Sequence, residues 1–150
     1  MDREGWMLAA LALADEAALA GEVPVGCVIV RGDRIVGRGR NRREERHSAL
    51  AHAEIEAIAE ACRALGDWRL SDCSLYVTLE PCPMCAGAIL NARLKQVCFG
   101  ARDEKTGSCG SVLNLFEENY GYRPAVYGGI LEAECLERMR SFFQGLRSAD

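Results

Sequence analysis

Residues 75–94 read Leu-Tyr-Val-Thr-Leu-Glu-Pro-Cys-Pro-Met-Cys-Ala-Gly-Ala-Ile-Leu-Asn-Ala-Arg-Leu. The apolar run Leu75–Leu79 predicts a buried strand, and Pro83–Leu94 predicts a helix whose first turn accepts the proline. A strand that passes almost directly into a helix is typical of α/β proteins, in which helices cover the faces of a sheet. Both cysteines of this segment fall where the helix begins.

The sequence on either side predicts the remaining elements. Apolar residues at helical spacing predict helices over residues 3–20, His52–Leu65 and Glu132–Leu146. Runs rich in β-branched residues predict strands over Val25–Arg31, Arg34–Arg38, Gln96–Ala101 and, more weakly, Ala125–Ile130. Asn41–Leu50 and Arg102–Ser111 are expected to be loops. This order predicts an α/β fold of three layers, α-β-α, with a mixed five-stranded sheet flanked by helices in one domain over residues 1–150.

The composition is that of an ordinary globular chain. Its 150 residues are 49% hydrophobic and 27% charged, which is enough for a core that needs no metal to fold. We expect the six cysteines other than Cys82 and Cys85 to be small buried hydrophobes in a reducing, cytoplasmic compartment. The apolar run Trp6–Ala14 follows an acidic start and is too short to cross a bilayer, so we expect neither a signal peptide nor a membrane partner.

Two short clusters, each at the start of a predicted helix, carry the chemistry. Cys82 and Cys85 are spaced to share one face of the helix near its positive end, which favours the thiolate form that binds zinc. His52 can add a neutral imidazole from the start of the other helix. One histidine and two thiolates make three protein ligands, the number typical of a catalytic zinc site that leaves the fourth position to water.

Glu54 lies two residues after His52 and is placed to exchange protons with that water rather than to bind the metal. The combination of His-x-Glu with Pro-Cys-x-x-Cys is the pattern of zinc-dependent nucleobase deaminases. Other interpretations stay open. Cys82-x-x-Cys85 is also the spacing of a thioredoxin-like redox motif, and His47 could close a four-ligand structural zinc site. The residues could also be together by coincidence.

An arginine-rich segment precedes the histidine. Residues 31–46 hold seven arginines and three acidic residues, in a chain whose net charge is −4. The net charge argues against sequence-blind binding of polyanions over the whole surface. The segment itself is interpreted either as a solvated hairpin and loop or as a rim that contacts phosphates.

The chain resembles the bacterial tRNA-specific adenosine deaminases, the TadA family, within the cytidine deaminase-like superfamily. The likeness runs over nearly the whole chain and is carried most clearly by Ala51–Ile55, Leu75–Ala88 and Gly100–Gly107. The zinc motif marks the superfamily, whereas Gly100–Gly107 is typical of the tRNA-editing branch. The resemblance implies a single CMP/dCMP-type deaminase domain with one Zn²⁺ per subunit. It implies conversion of adenosine to inosine at the wobble position of an arginine tRNA by a zinc-activated water.

Roles follow from the same resemblance. It implies that His52, Cys82 and Cys85 bind the zinc and that Glu54 is the catalytic proton shuttle. Asn41 matches the residue that hydrogen-bonds the target base and Asp103 the residue near the flanking nucleotides, although each alone would be interpreted as a turn residue or loop cap. The expected partners are the tRNA anticodon stem-loop and a second copy in a homodimer. The candidate contacts to the RNA backbone are Arg42, Arg43, Arg46 and Lys105.

The sequence departs from the family pattern at Ser48–Leu50, at Tyr120–Pro124 and in the weakly basic end, Gln144–Asp150. These departures bear on tRNA recognition and leave the chemistry intact. A zinc-dependent deaminase of a free base or nucleoside, such as guanine, cytosine or cytidine, is therefore the second interpretation. A non-catalytic, zinc-stabilised or redox module is the third.

Overall fold

Five strands and five helices follow one another in the computed structural model, which describes residues 1–149. The helices are α1 (Arg3–Leu19), α2 (Arg43–Arg46), α3 (Ala53–Leu65), α4 (Pro83–Ala92) and α5 (Glu132–Ala149). The strands are β1 (Gly26–Arg31), β2 (Arg34–Arg40), β3 (Cys73–Leu79), β4 (Gln96–Ala101) and β5 (Ala125–Tyr127). A single turn of 3-10 helix covers Leu115–Glu117. Within the described residues, no helix has both the length and the apolar character needed to span a membrane.

The strands form one mixed sheet in the order β2-β1-β3-β4-β5. β1 pairs antiparallel with β2 and with β3, while the β3–β4 and β4–β5 pairs are parallel. A tight turn is enough to join β1 to β2, but the parallel pair β3–β4 requires a crossover, which α4 provides. The predicted mixed sheet of five strands is confirmed.

Helices cover both faces of this sheet. On one face, α1 and α5 pack on residues of alternate positions such as Val28, Val30 and Tyr76. On the other face, α3 and α4 pack on the intervening positions, among them Ile29 and Leu75. Because both faces are covered, the central strands are buried and apolar along almost their whole length. The three-layer α-β-α arrangement is confirmed.

Two glycines of β2 let α3 approach the sheet closely. A Cβ atom at Gly37 would meet the backbone carbonyl of Ala57, and one at Gly39 would meet that of Ala53. Only glycine removes the atom that would hold the helix away. The close contact fixes the first turn of α3, and this turn follows His52 and contains Glu54.

The structure differs from the sequence-based expectations in its irregular parts. The predicted loop Asn41–Leu50 contains the helical turn α2, because the buried Glu22 carboxylate accepts hydrogen bonds from the backbone of Glu44 and Glu45. The fifth strand ends at Tyr127 rather than at Ile130. Of the six cysteines expected to be buried, Cys62 is partly exposed and the other five are buried.

Candidate active site

The metal-binding residues predicted from the sequence meet where two helices begin. His52 is the residue before α3, and Cys82 is the residue before α4. Cys85 lies one turn further along α4 and is buried. Because α4 follows β3 after only three residues, the carboxyl end of this central strand fixes the positions of Cys82 and Cys85.

The spacing of the three ligand atoms fits a zinc ion. His52 Nδ1 lies 3.7 Å from Cys82 Sγ and 3.5 Å from Cys85 Sγ, and all three atoms lie within 4.8 Å of one another. Tetrahedral zinc with bonds of about 2.1 Å to nitrogen and about 2.3 Å to sulfur would separate these atoms by about 3.6 Å. A closed structural site needs a fourth protein ligand. In the part of the chain that the structure describes, the group has three members, and the exposed His47 is not among them.

The two thiols differ in their affinity for a proton. The Cys85 thiol lowers the pKa of Cys82 to about 4, burial opposes this effect, and His52 adds to it. In turn, Cys82 raises the pKa of Cys85, and so does burial. The pair therefore shares one proton, which a divalent cation would displace, because metal ligation requires the thiolate form.

Glu54 lies beside these ligands and is almost completely buried, with 4% of its surface exposed. Burial raises the pKa of its carboxyl to about 7, although the positive charge that His52 can carry acts in the opposite direction. A carboxyl group with a pKa near neutrality can both accept and release a proton at physiological pH. The structure thus places a buried carboxyl group with a raised pKa next to three residues that could hold a metal ion.

A cleft of about 110 Å³ opens onto this centre. The residues that line it include His52, Glu54 and Cys82, together with Asn41 and Asp103. Its other lining residues are Val23, Val25, Arg43, Ala53, Leu79, Glu80 and Thr106. The mixture of apolar walls and a few convergent polar groups is typical of a small-molecule or nucleobase site.

Asn41 and Asp103 both shape the backbone around them. The Asn41 side-chain oxygen accepts a hydrogen bond from the Arg43 backbone at 3.1 Å, and its amide nitrogen donates to the Val23 carbonyl at 3.4 Å. Asp103 accepts hydrogen bonds from the backbone of Lys105 and Thr106 and from the Thr106 hydroxyl. Both residues are therefore turn formers and pocket residues at the same time.

The predicted RNA-contacting residues are in different environments. Arg43 lines the cleft. The hydrogen bond with Cys82 raises the pKa of His52, and the positive charge of Arg43 opposes this effect. Arg42 and Arg46 instead point to the Glu56 carboxylate, at 3.0 Å and 2.7 Å. Lys105 is exposed on the loop that holds Asp103. Of these four residues, only Arg43 reaches the cleft.

Sequence reasoning missed Glu80. Its carboxylate is buried and accepts hydrogen bonds from the backbone of Asp103, Cys109 and Ser111, as well as from the Ser111 hydroxyl. Burial raises the pKa of this carboxyl, but these donors outweigh burial and the net pKa is lowered. The available signal was an acidic residue at the end of an apolar strand, because such a charge needs partners in the fold.

Comparison with known proteins finds deaminases that match over most of the chain. A model of the MafB19-like deaminase family matches residues 1–147. The tRNA-specific adenosine deaminase of Bacillus subtilis is 47% identical over 145 residues, covering 96% of this chain and 90% of the relative. That of Streptococcus pyogenes serotype M18 is 44% identical over 140 residues, covering 93% and 88%.

Two solved structures and one longer relative are also similar to this chain. A structure from studies of A-to-I editing by tRNA:A34 deaminases at the wobble position superimposes with a TM-score of 0.85 and 43% identity, covering 89% of this chain and 98% of that one. Guanine deaminase from Bacillus subtilis gives a TM-score of 0.66 and 44% identity, with 68% of this chain and 66% of that one covered. A tRNA(Ile)-lysidine synthase of Deinococcus radiodurans is 48% identical over 144 residues, which are 94% of this chain but 25% of that protein.

Proposed function

Because this chain belongs to the family of the tRNA-specific adenosine deaminases, we propose that it hydrolyses adenosine to inosine at the wobble position of a tRNA anticodon. The observation that carries the proposal is the grouping of His52, Cys82 and Cys85, together with the buried Glu54, at a small cleft that His52, Glu54 and Cys82 line. The relatives named as tRNA-specific adenosine deaminases, matched over most of their length, support tRNA as the substrate. An arginine tRNA is the proposed target.

The proposed chemistry divides the work between the metal centre and Glu54. His52, Cys82 and Cys85 would hold one zinc ion per subunit, and the ion would acidify a water molecule. Glu54 would accept one proton from this water as the water oxygen bonds to C6 of the base, and would pass that proton to the adjacent ring nitrogen. It would then carry the second proton of the water to the amino group, which leaves C6 as ammonia. Burial supports this role, since it holds the pKa of Glu54 at about 7, close to the pH at which it must both accept and release the proton.

The base is proposed to enter the cleft unstacked. We propose that the target nucleotide is flipped out of its strand, because His52, Cys82 and the buried Glu54 line the inside of the cleft, where a stacked base cannot reach them. Asn41 is the proposed hydrogen-bonding partner of the base, and its position is fixed by Val23 and Arg43. Asp103 is proposed to lie near the flanking nucleotides, at the rim of the cleft.

The proposed contacts to the RNA backbone are Arg43, which lines the cleft, and Lys105, which is exposed on the loop that holds Asp103. Arg42 and Arg46 both pair with the Glu56 carboxylate. They are therefore proposed to contribute positive potential rather than direct contacts, since two arginines and one glutamate together keep a positive charge. Arg43→Ala is expected to weaken RNA binding and to reduce the slope of log Kd against log salt by about one. The same substitution at Arg69, which pairs with Asp67 away from the cleft, is expected to leave the slope unchanged.

The enzyme is proposed to be a homodimer that acts in the cytoplasm. α4 contains no charged residue and buries only one side, leaving Met84, Gly87 and Ala88 partly exposed. Beside them lie Leu50 and Tyr120, which are 62% and 56% exposed. A helix that is apolar on all sides is normally buried, so a second copy is the proposed cover. The eight free cysteines support a reducing compartment.

Guanine deaminase activity is the second candidate, and it is supported by the 44% identity to the Bacillus subtilis enzyme over two thirds of the chain. The deciding experiment incubates the zinc-loaded protein with tRNA, an anticodon stem-loop, guanine, cytosine and cytidine. Inosine in the anticodon, detected by sequencing and mass analysis, is the expected result. Turnover of a free base without any change in tRNA would overturn the proposal.

A further inference from the structure

We propose that Glu80 is a positioning residue that holds the rim loop, residues 102–111, against the mouth of the cleft and thereby sets how tightly RNA is bound. The inference rests on the proposed function, because it takes RNA as the substrate. Glu80 follows β3 directly and stands two residues before Cys82. Only 2% of its surface is exposed.

The side-chain hydrogen bonds of Glu80 all lead to the rim loop. Its Oε1 accepts the Asp103 backbone N–H at 3.1 Å, and its Oε2 accepts those of Cys109 at 3.0 Å and Ser111 at 3.1 Å. The Ser111 hydroxyl donates to Oε1 as well. One carboxylate thus joins both ends of the loop to the strand that carries the metal-binding motif.

Backbone hydrogen bonds of Glu80 and its neighbour Pro81 add to this attachment of the rim loop. Its own N–H donates to the carbonyl of Ala101 at 2.8 Å, and the N–H of Ser108 donates to the carbonyl of Pro81 at 2.9 Å. A Cβ atom at Gly107 would meet the Glu80 carboxyl and the Asp103 carbonyl. The loop therefore closes around the carboxylate with no space for a side chain at this position.

The position of the rim loop connects Glu80 to recognition. Asp103 and Thr106 of this loop line the cleft, whereas a second cavity of about 320 Å³ lies on another side of Glu80 and contacts Cys109 and Ser111. The Glu80 carboxylate thus bonds to the loop both next to the cleft, at Asp103, and next to the second cavity, at Cys109 and Ser111. Loss of that anchor is expected to displace Asp103 and Thr106 while leaving Glu54 and the metal ligands in place.

Glu80→Gln is the sharpest variant, because it keeps the size of the side chain. Glutamine replaces one acceptor oxygen by an NH₂ group, which can only donate and so opposes the N–H donors of the loop. Glu104→Gln is the matched control, since Glu104 is exposed on the same loop and the same charge is removed. KM and kcat are measured on an anticodon stem-loop with adenosine at the wobble position, together with zinc content.

We expect Glu80→Gln to raise KM by on the order of tenfold, to change kcat by less than about threefold and to retain zinc. Trypsin is expected to cleave after Arg102 and Lys105 faster than in the parent. Ser111→Ala, which removes one of the four bonds, is expected to give a smaller increase in KM. Ser111→Thr, which keeps the hydroxyl, is expected to restore the parent value.

Unchanged KM and unchanged trypsin cleavage in Glu80→Gln would overturn the proposal, and so would equal effects of Glu104→Gln. Loss of zinc or a fall in kcat alone would show a role in the metal centre instead. If Glu80→Gln does not fold, the Ser111 variants provide the test: equal KM values for Ser111→Ala and the parent would overturn the proposal. If the parent protein does not deaminate the stem-loop, the proposed function fails, whereas the trypsin comparison still tests the anchoring of the loop.

Discussion

Glu54 is the residue on which the proposed reaction depends most directly. Glu54→Gln keeps the volume and most hydrogen bonding but removes the ability to accept and release a proton. We expect turnover to fall by on the order of a thousandfold, because a positioned acid and base typically contributes about 100- to 10,000-fold. Zinc content and thermal unfolding are expected to stay close to those of the parent, as measured by metal analysis and circular dichroism.

Glu60→Gln is the control for this variant, since Glu60 lies on the same helix but lines a different cavity. It is expected to retain full activity. Equal turnover in Glu54→Gln and the parent would refute the role of Glu54 as the proton carrier.

His47 tests whether the zinc site is open. It is exposed, ends α2 in a left-handed backbone conformation and lies outside the metal-binding group. We expect His47→Ala to bind zinc as tightly as the parent, because three ligands are already present in His52, Cys82 and Cys85. The measurement is zinc retention during titration with a coloured chelator. Release of zinc at lower chelator concentration than in the parent would favour the closed structural site.

Single residues differ in how far the sequence can predict them. His52, Cys82 and Cys85 could be predicted as a group, because their spacing places each at a helix start and few other arrangements use it. For Glu80, the sequence shows an acidic residue at the end of an apolar strand but not its partners, since these lie more than twenty residues away in a loop with no regular pattern. Arg46 shows the converse, because a cationic side chain in the sequence does not reveal that Glu56 holds it.

Among the elements, α3 and β2 show how packing sets the position of the site. Gly39→Ala adds one methyl group where the Ala53 carbonyl lies, so α3 must move away from the sheet. We expect a loss of about 1–3 kcal/mol in the free energy of unfolding, measured by urea denaturation. Zinc binding is expected to weaken as well, because Ala53 directly follows His52.

The control for the packing effect is Gly145→Ala in α5. A Cβ atom at Gly145 meets no atom within 4 Å, so the substitution acts through helix propensity alone. It is expected to be neutral or to stabilise by about 0.5–1 kcal/mol. If Gly39→Ala were equally harmless, the close approach of α3 would not position the site.

Elements with their own periodicity were predictable, whereas those built by distant side chains were not. β4 could be placed at Gln96–Ala101 because its apolar run is continuous, and α3 because its apolar stripe ends before Gly66. α2 has four residues and no apolar stripe, so the sequence contains no signal for it. It forms because Glu22, from a different segment, satisfies its first backbone donors.

For the whole molecule, two apolar cores lie on the two faces of the sheet, and we expect them to allow folding without zinc. We expect removal of zinc by a strong chelator to abolish turnover. The far-ultraviolet circular dichroism spectrum is expected to stay unchanged and the unfolding transition to stay cooperative. Readdition of zinc is expected to restore activity. Unfolding upon chelation would instead assign the metal a structural role, as in small domains whose core cannot fold without it.

The exposed side of α4 provides the last test, at the level of assembly. In the single chain, a Cβ atom at Gly87 meets nothing within 4 Å, so Gly87→Gln is compatible with the fold of one subunit. If a second copy packs on α4, a long side chain at this position separates the subunits, because close contact there depends on the missing Cβ. We expect Gly87→Gln to be a folded monomer in sedimentation equilibrium, whereas the parent and Gly145→Gln sediment as dimers. A parent protein that is monomeric would refute the homodimer, and a dimeric Gly87→Gln would place the interface on another surface.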